Sequence, residues 1–208
     1  MVLIDKNLNV LRPAILWADT RSQKQLESFR RLSKTQHRHL ANPFATGMTG
    51  VSLLWLKENE LNIYQQTRWV LQPKDWLRLK LTSEVYAESS DASATLLYDL
   101  ENDSWADDII ETLGLRRDFL APLVKSRAAC GQLTKQAASE LGLRADIPVA
   151  AGAGDAAASA LGSALLSEGQ VQVNIGTAMQ IFAIREKAVV DSTLRTHLYR
   201  SSLDNYYA

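Results

Sequence analysis

Apolar residues in this chain fall in short blocks separated by polar turns, and the spacing inside the blocks predicts alternating strands and helices. Val2-Leu3-Ile4 reads as a strand, Asp5-Lys6-Asn7 as its turn and Val10-Leu11 as the return strand. Pro13-Ala14-Ile15-Leu16-Trp17 reads as a short buried strand. After it, Asp19 or Thr20 can cap a polar helix that carries Leu26, Phe29 and Leu32. A turn-rich loop over 42–47 precedes a helix over 49–58 in which Val51, Leu54 and Trp55 recur at helical spacing. Trp69-Val70-Leu71 reads as a strand, and Pro73 opens a helix with Trp76, Leu77 and Leu79 in its body.

The second half continues the alternation. Ser90-Asp91-Ala92-Ser93 reads as a serine cap before residues 94–98, with a substrate loop as the alternative. Residues 105–113 form an amphipathic pattern closed by Gly114, 120–122 an extended linker, and 134–141 a helix ending at Gly142. An apolar strand from Pro148 ends in Gly152 and Gly154 and delivers Asp155 to the start of a small-residue helix, Ala156 to Ala160. Val171 to Ile175 then runs into a second glycine turn, Gly176-Thr177, before another strand over 179–184. The order of elements predicts an α/β layer fold, and two glycine turns in tandem suggest a phosphate-handling site. A unit boundary is expected within 162–169, dividing the chain into 1–163 and 164–208.

Composition narrows the function classes. In 208 residues, Lys plus Arg and Asp plus Glu each total 23, so no global charge favours nucleic acid or an anionic membrane. No apolar run approaches a membrane span, and the expected partner is a small molecule or a protein. One cysteine, Cys130, excludes an internal disulfide and a Cys-rich metal site and fits a reducing compartment, so a cytoplasmic location is expected. His37 and His39 lie in a basic stretch that reads as a solvated helix end, with no third ligand for a metal. Strand pattern begins at Val2 without lead-in and the chain stops abruptly at Tyr206-Tyr207-Ala208, as if cut from a larger protein.

Six motifs occur together and in order: Pro13-Ala-Ile-Leu-Trp17-Ala-Asp19-Thr-Arg21; Gly47-Met-Thr49 with Leu53-Leu-Trp55; Leu71-Gln-Pro73-Lys74-Asp75-Trp; Ser90-Asp91-Ala92-Ser93; Gly152-Ala-Gly154-Asp155; and Ile175-Gly176-Thr177. The set resembles the FGGY carbohydrate kinases, closest to the xylulokinase branch. The resemblance implies a two-domain enzyme of the actin-like, ribonuclease H-like ATPase fold, with sugar and ATP between the domains and Mg2+ beside the phosphates. It implies most of the first domain and the start of the second, less than half of a family chain. It assigns Asp155 as catalytic base, Trp17 and Phe44 as aromatic sugar contacts, Asp19 and Arg21 as sugar-side residues, and Gly176 and Thr177 as the turn approaching ATP. The expected reaction is phosphorylation of D-xylulose to D-xylulose 5-phosphate.

The residues alone leave Asp155 open between a general base and a helix cap. Three positions depart from the family pattern: Ala156 stands where an amide is usual, Ala178 where a serine is usual, and Ser83 where a glycine is usual. The family's N-terminal phosphate loop and adenine-binding glycine loop have no equivalent in these residues. An alternative reading is therefore a non-catalytic remnant that binds a sugar or a protein; a hydrolase using Asp155 is weaker still, lacking a placed second carboxylate or histidine. Strands from Gln170 onward are expected to lack partners, leaving a homodimer through open edges or a disordered tail.

Overall fold

The computed structural model describes residues 1–176 and 179–208. The opening block forms β1 (Val2–Ile4), which pairs antiparallel with β2 (Trp69–Leu71), Leu3 opposite Val70. Val10 returns only as a single bridge to Ile4. Residues 13–17 are not the expected strand. Only Ile15 among them is buried, its amide donating to the Met1 carbonyl, and Trp17 sits in a turn. Pro13 has no N–H to give a ladder, which disfavours pairing there. The chain instead enters a 3-10 helix, Arg21–Gln25, that runs on into α1 (Leu26–Arg30). Thr20 supplies no side-chain cap; the Asp19 carboxylate accepts from the Arg21 amide at 3.0 Å.

α2 (Lys34–Leu40) opens with a reciprocal capping box, Ser33 Oγ accepting from the Gln36 amide and Gln36 Oε1 from the Ser33 amide. α3 (Thr49–Asn59) is buried around most of its circumference, as a helix crossing a core must be, and α4 (Leu61–Gln66) follows it. α5 (Pro73–Thr82) has proline in its first turn and stops at Ser83, whose φ of 63° is left-handed. That is the conformation glycine adopts at least cost, so the serine there carries backbone strain.

β3 (Ala87–Glu88) leads directly into α6 (Ser89–Ala92), where the cap is not a serine: the Glu88 side chain accepts from the Ser90 and Asp91 amides. β4 (Tyr98–Asp99) and β5 (Ser104–Trp105) form a small hairpin, so Trp105 is in a strand. The following helix starts later than the pattern indicates, as α7 (Asp107–Thr112), with Asp107 and Asp108 in its first turn where the helix dipole favours anions. β6 (Leu123–Val124) pairs parallel with β3. β7 (Ala129–Gln132) and β8 (Pro148–Ala150) are antiparallel and bracket α8 (Lys135–Leu141), capped by Thr134 and ended by left-handed Gly142.

After β8 come α9 (Asp155–Gly162) and four strands: β9 (Val171–Ile175), β10 (Met179–Arg185), β11 (Tyr199–Arg200) and β12 (Tyr206–Tyr207). These strands find partners in one another, in the order β11-β12-β10-β9, rather than forming an unpaired tail. A large core joins β1, β2 and α3 through Leu3, Ile4, Leu53, Leu56 and Leu71 to Leu97, Tyr98 and Phe119. A smaller one holds Ala157 and Ala160 of α9 against Phe182, Ile184 and Tyr207. Leu198 belongs to the large core, so the last segment of the chain returns to the first.

Candidate active site

The site is assembled around the turn between β8 and α9. Gly152 has φ 81°, a left-handed value that reverses the chain at low cost only without a side chain. Gly154 is the residue before the helix, which places Asp155 at its first position. The buried faces of Ala157 and Ala160 seat α9 on the second core, and Asp155 is left exposed, its Oδ1 accepting from the Ala156 amide at 2.7 Å. It opens into a cleft of about 670 Å3 that is also lined by Trp17, Gln72, Lys74, Asp91, His197 and Tyr199.

Trp17 reaches this cleft from a turn that rests directly on the chain at Gly47. A Cβ at Gly47 would stand 1.7 Å from the Trp17 carbonyl oxygen and 2.5 Å from its Cα. The glycine is thus required by a close approach of two backbones. Trp17 itself is 87% exposed, an apolar plate presented to the cleft rather than packed in a core.

Below the Asp155 turn lies a buried charge network. Lys74 Nζ is 2.7 Å from Asp75, 3.4 Å from Glu88 and 3.5 Å from Asp91, and Arg78 pairs with Asp75 at 2.8 Å. Burial disfavours the lysine charge, but the three carboxylates outweigh it and hold Lys74 above the usual lysine value. Burial also lifts Asp91, against the pull of Lys74 and reinforced by Asp75 and Glu88, to about 6. Asp91 lines the same cleft as Asp155, so a carboxyl with raised proton affinity faces the space that the expected base faces.

Of the residues expected at the site, the structure brings Trp17 and Asp155 into one cleft. Asp19 and Arg21 pair with each other at 2.6 Å, with the guanidinium 4.5 Å over the Trp55 ring, and they do not line it. That hydrogen-bonded partner holds the Asp19 carboxyl below the usual carboxylate range. Phe44 is half-buried against Phe29 and His37, ring centroids 5.9 and 5.1 Å away, and does not line the cleft either. Gly176 follows β9; Thr177 and Ala178 lie outside the described residues.

Two cleft residues carry no sequence signal. His197 and Tyr199 arrive from the far end of the chain, stacked with centroids 5.2 Å apart, and Asn42 fixes the histidine through Oδ1 at 3.1 Å from its Nδ1. Burial holds His197 below the usual histidine value. Lys74 and Asp91 sit in recognisable motifs, but only their three-dimensional meeting shows that they face the same space as Asp155. Among the described residues no group of three or more His, Cys, Asp or Glu is arranged to hold a metal ion.

The profile of the FGGY family of carbohydrate kinases, N-terminal domain, matches residues 1–162. A xylulose kinase of Staphylococcus epidermidis is 35% identical over 209 aligned residues, and one of Bacillus subtilis is 34% identical over 212. Each alignment takes in 100% of this chain and 42% of the relative, so the chain spans less than half the length of the curated relatives it matches. The crystal structure of a xyloylose kinase from Brucella ovis, 32% identical, superposes with a TM-score of 0.92 over 99% of this chain and 43% of that one. The α/β architecture is that of the actin-like, ribonuclease H-like ATPase fold. The chain belongs to the FGGY family of carbohydrate kinases.

Proposed function

We propose that this chain forms part of an ATP-dependent kinase that phosphorylates D-xylulose to D-xylulose 5-phosphate, with Asp155 as the general base. The observation that carries the reading is the Asp155 carboxylate at the first turn of α9, exposed to the cleft that Trp17 lines. A sugar hydroxyl is a weak nucleophile near neutral pH. A carboxylate within hydrogen-bond reach takes its proton as the new O–P bond forms to the γ-phosphorus and the bond to the bridging oxygen breaks, releasing ADP. The exposed ring of Trp17 gives the apolar face of a sugar a flat surface, while Lys74, Gln72 and His197 offer polar groups to its hydroxyls.

Asp19, Arg21 and Phe44 are assigned to the sugar side by resemblance to the family, although none of the three lines the cleft. Gly176 and Thr177 are assigned to the ATP phosphates on the same ground. No residue is assigned to Mg2+. The division into 1–163 and 164–208 belongs to the same reading, as do a cytoplasmic location and a homodimer through the open edge of the second sheet. Among the described residues no helix is long and apolar enough to cross a membrane.

The test is sugar-dependent ADP release by the natural full-length polypeptide. Asp155→Ala is expected to lower kcat by ~100-fold or more while leaving the melting temperature nearly unchanged, because the exposed side chain takes no part in either core. Full turnover in that variant would remove the base assignment. Ala156, which offers no side-chain polar group next to the base, favours the second reading of a non-catalytic remnant. Absence of any sugar-dependent ADP release in the unmodified full-length protein would establish it.

A further inference from the structure

The turn that precedes Asp155 is held at successive points by the network beneath it. The Ala151 carbonyl accepts from Arg78 Nη1 at 2.8 Å, and the same nitrogen donates to Asp75 at 2.8 Å. The Gly152 amide donates to the Ser126 carbonyl at 3.1 Å, and the Ser126 hydroxyl donates to Glu88 Oε1 at 2.6 Å. The Gly154 amide donates to Ser90 Oγ at 2.9 Å, and that hydroxyl donates to Glu88 Oε2 at 2.7 Å. Two of these three anchors therefore end on one carboxylate, which is wholly buried.

We propose that Glu88, with Ser90 and Ser126 as its two hydroxyl arms, is a positioning residue that fixes the 151–154 turn and so aims Asp155 into the cleft. The proposal rests on the reading of Asp155 as the base. The chemistry of Glu88 suits the task. Every partner it has is a donor: the Ser90 and Asp91 amides, the Ser90 and Ser126 hydroxyls, and the Lys74 ammonium. An all-acceptor carboxylate satisfies them together, whereas an amide in its place would turn N–H groups toward other donors. Donation to Glu88 leaves a lone pair of Ser90 Oγ free to accept from the Gly154 amide, and holds Ser126 where its main-chain carbonyl accepts from the Gly152 amide. Lys74, 3.4 Å away, supplies the compensating charge without which the buried carboxylate would be unstable. A displacement of the order of 1 Å at a catalytic group costs about 100-fold in rate, so a turn of glycines, flexible in itself, needs such anchors.

Ser90→Ala removes the acceptor of the Gly154 amide without altering any cleft-facing carboxylate. In the natural full-length polypeptide, hydrogen exchange across 151–155 is expected to speed up by at least ~10-fold, with exchange in β1 and α3 unchanged. Turnover is expected to fall by ~10- to 100-fold with the sugar KM within about threefold, a split that a merely structural serine would not give. Ser126→Ala and the isosteric Glu88→Gln are expected to move the same two readouts in the same direction, and Ser126→Thr, which keeps the hydroxyl, to restore them. The half-buried Ser126 serves if the buried Ser90 variant fails to fold, which would show as faster exchange everywhere. Unchanged exchange over 151–155 in the Ser126→Ala protein, or accelerated exchange with unchanged kcat, overturns the proposal. The failure of the base assignment is read separately, from full turnover in Asp155→Ala.

Discussion

Between the usual aspartate value of 3.8 and about 6, the folded chain keeps on Asp91 a proton that the unfolded chain has released, because burial outweighs the pull of Lys74. The folded state binds more protons in that window, so stability falls as pH rises through it and the deficit is fully present above the folded value. A shift of this size corresponds to ~3 kcal/mol at most. Asp91→Asn, which cannot ionise, is expected to be the more stable protein at pH 8 by about 1–3 kcal/mol and to lose that advantage toward pH 4. Urea midpoints at the two pH values check it; a variant less stable than the parent at pH 8 would mean that the Lys74 contact outweighs desolvation. Asp155 is marked locally by a glycine turn before a helix, a pattern that leaves base and cap both open, whereas Trp17 is singled out only by the resemblance to the family, since the apolar pattern itself puts it in a buried strand. The role of Asp91 was not legible, since it arises from Lys74, Asp75 and Glu88 closing around it from neighbouring elements. His197 was illegible for a related reason: its partner Asn42 is 155 positions away.

β9 is the edge of the C-terminal sheet, and its register with β10 puts Ile175 opposite Met179 and Val173 opposite Ile181. Val171, Val173, Ile175, Met179 and Ile181 are all exposed, an apolar face beside an edge that has no further strand among the described residues. Such a combination invites pairing with another chain. The 208-residue polypeptide is accordingly expected to self-associate with rising concentration, and Val173→Lys to suppress this. Sedimentation that returns the monomer mass across the whole concentration series would remove the homodimer. The same elements show what patterning can and cannot convey. α8 was readable because both its ends are marked in sequence, by Thr134 and by Gly142. The stretch at 13–17 departs from its pattern because an apolar run after a proline looks the same whether it pairs or merely drapes Ile15 over the core. Several strands are two residues long, too short for any alternation to register, so the α/β class was legible while the sheet layout was not.

The chain doubles back on itself after β10. Asn42 donates to the Leu198 carbonyl at 2.8 Å and accepts from the Leu198 amide at 3.0 Å, and Arg200 donates its amide to Ser93 Oγ and reaches Asp103. Tyr206 donates to the Leu100 carbonyl, and Tyr207 stacks edge-on to Phe182. The segment therefore touches both the strand β10 and the elements before residue 104, and it brings His197 and Tyr199 to the cleft wall. Arg195, just before it, is an exposed residue in a loop. Covalent continuity at that point is expected to matter little: after a tryptic cut at Arg195, the peptide that begins at Thr196 should remain bound through size-exclusion chromatography and separate only under denaturant. Immediate loss of the peptide would show that the backbone, not the Asn42 clasp, keeps it in place. If it stays, the far wall of the cleft is in effect a docked ligand of the rest of the chain, and the protein is a natural candidate for splitting at residue 195 into two pieces that reconstitute on mixing.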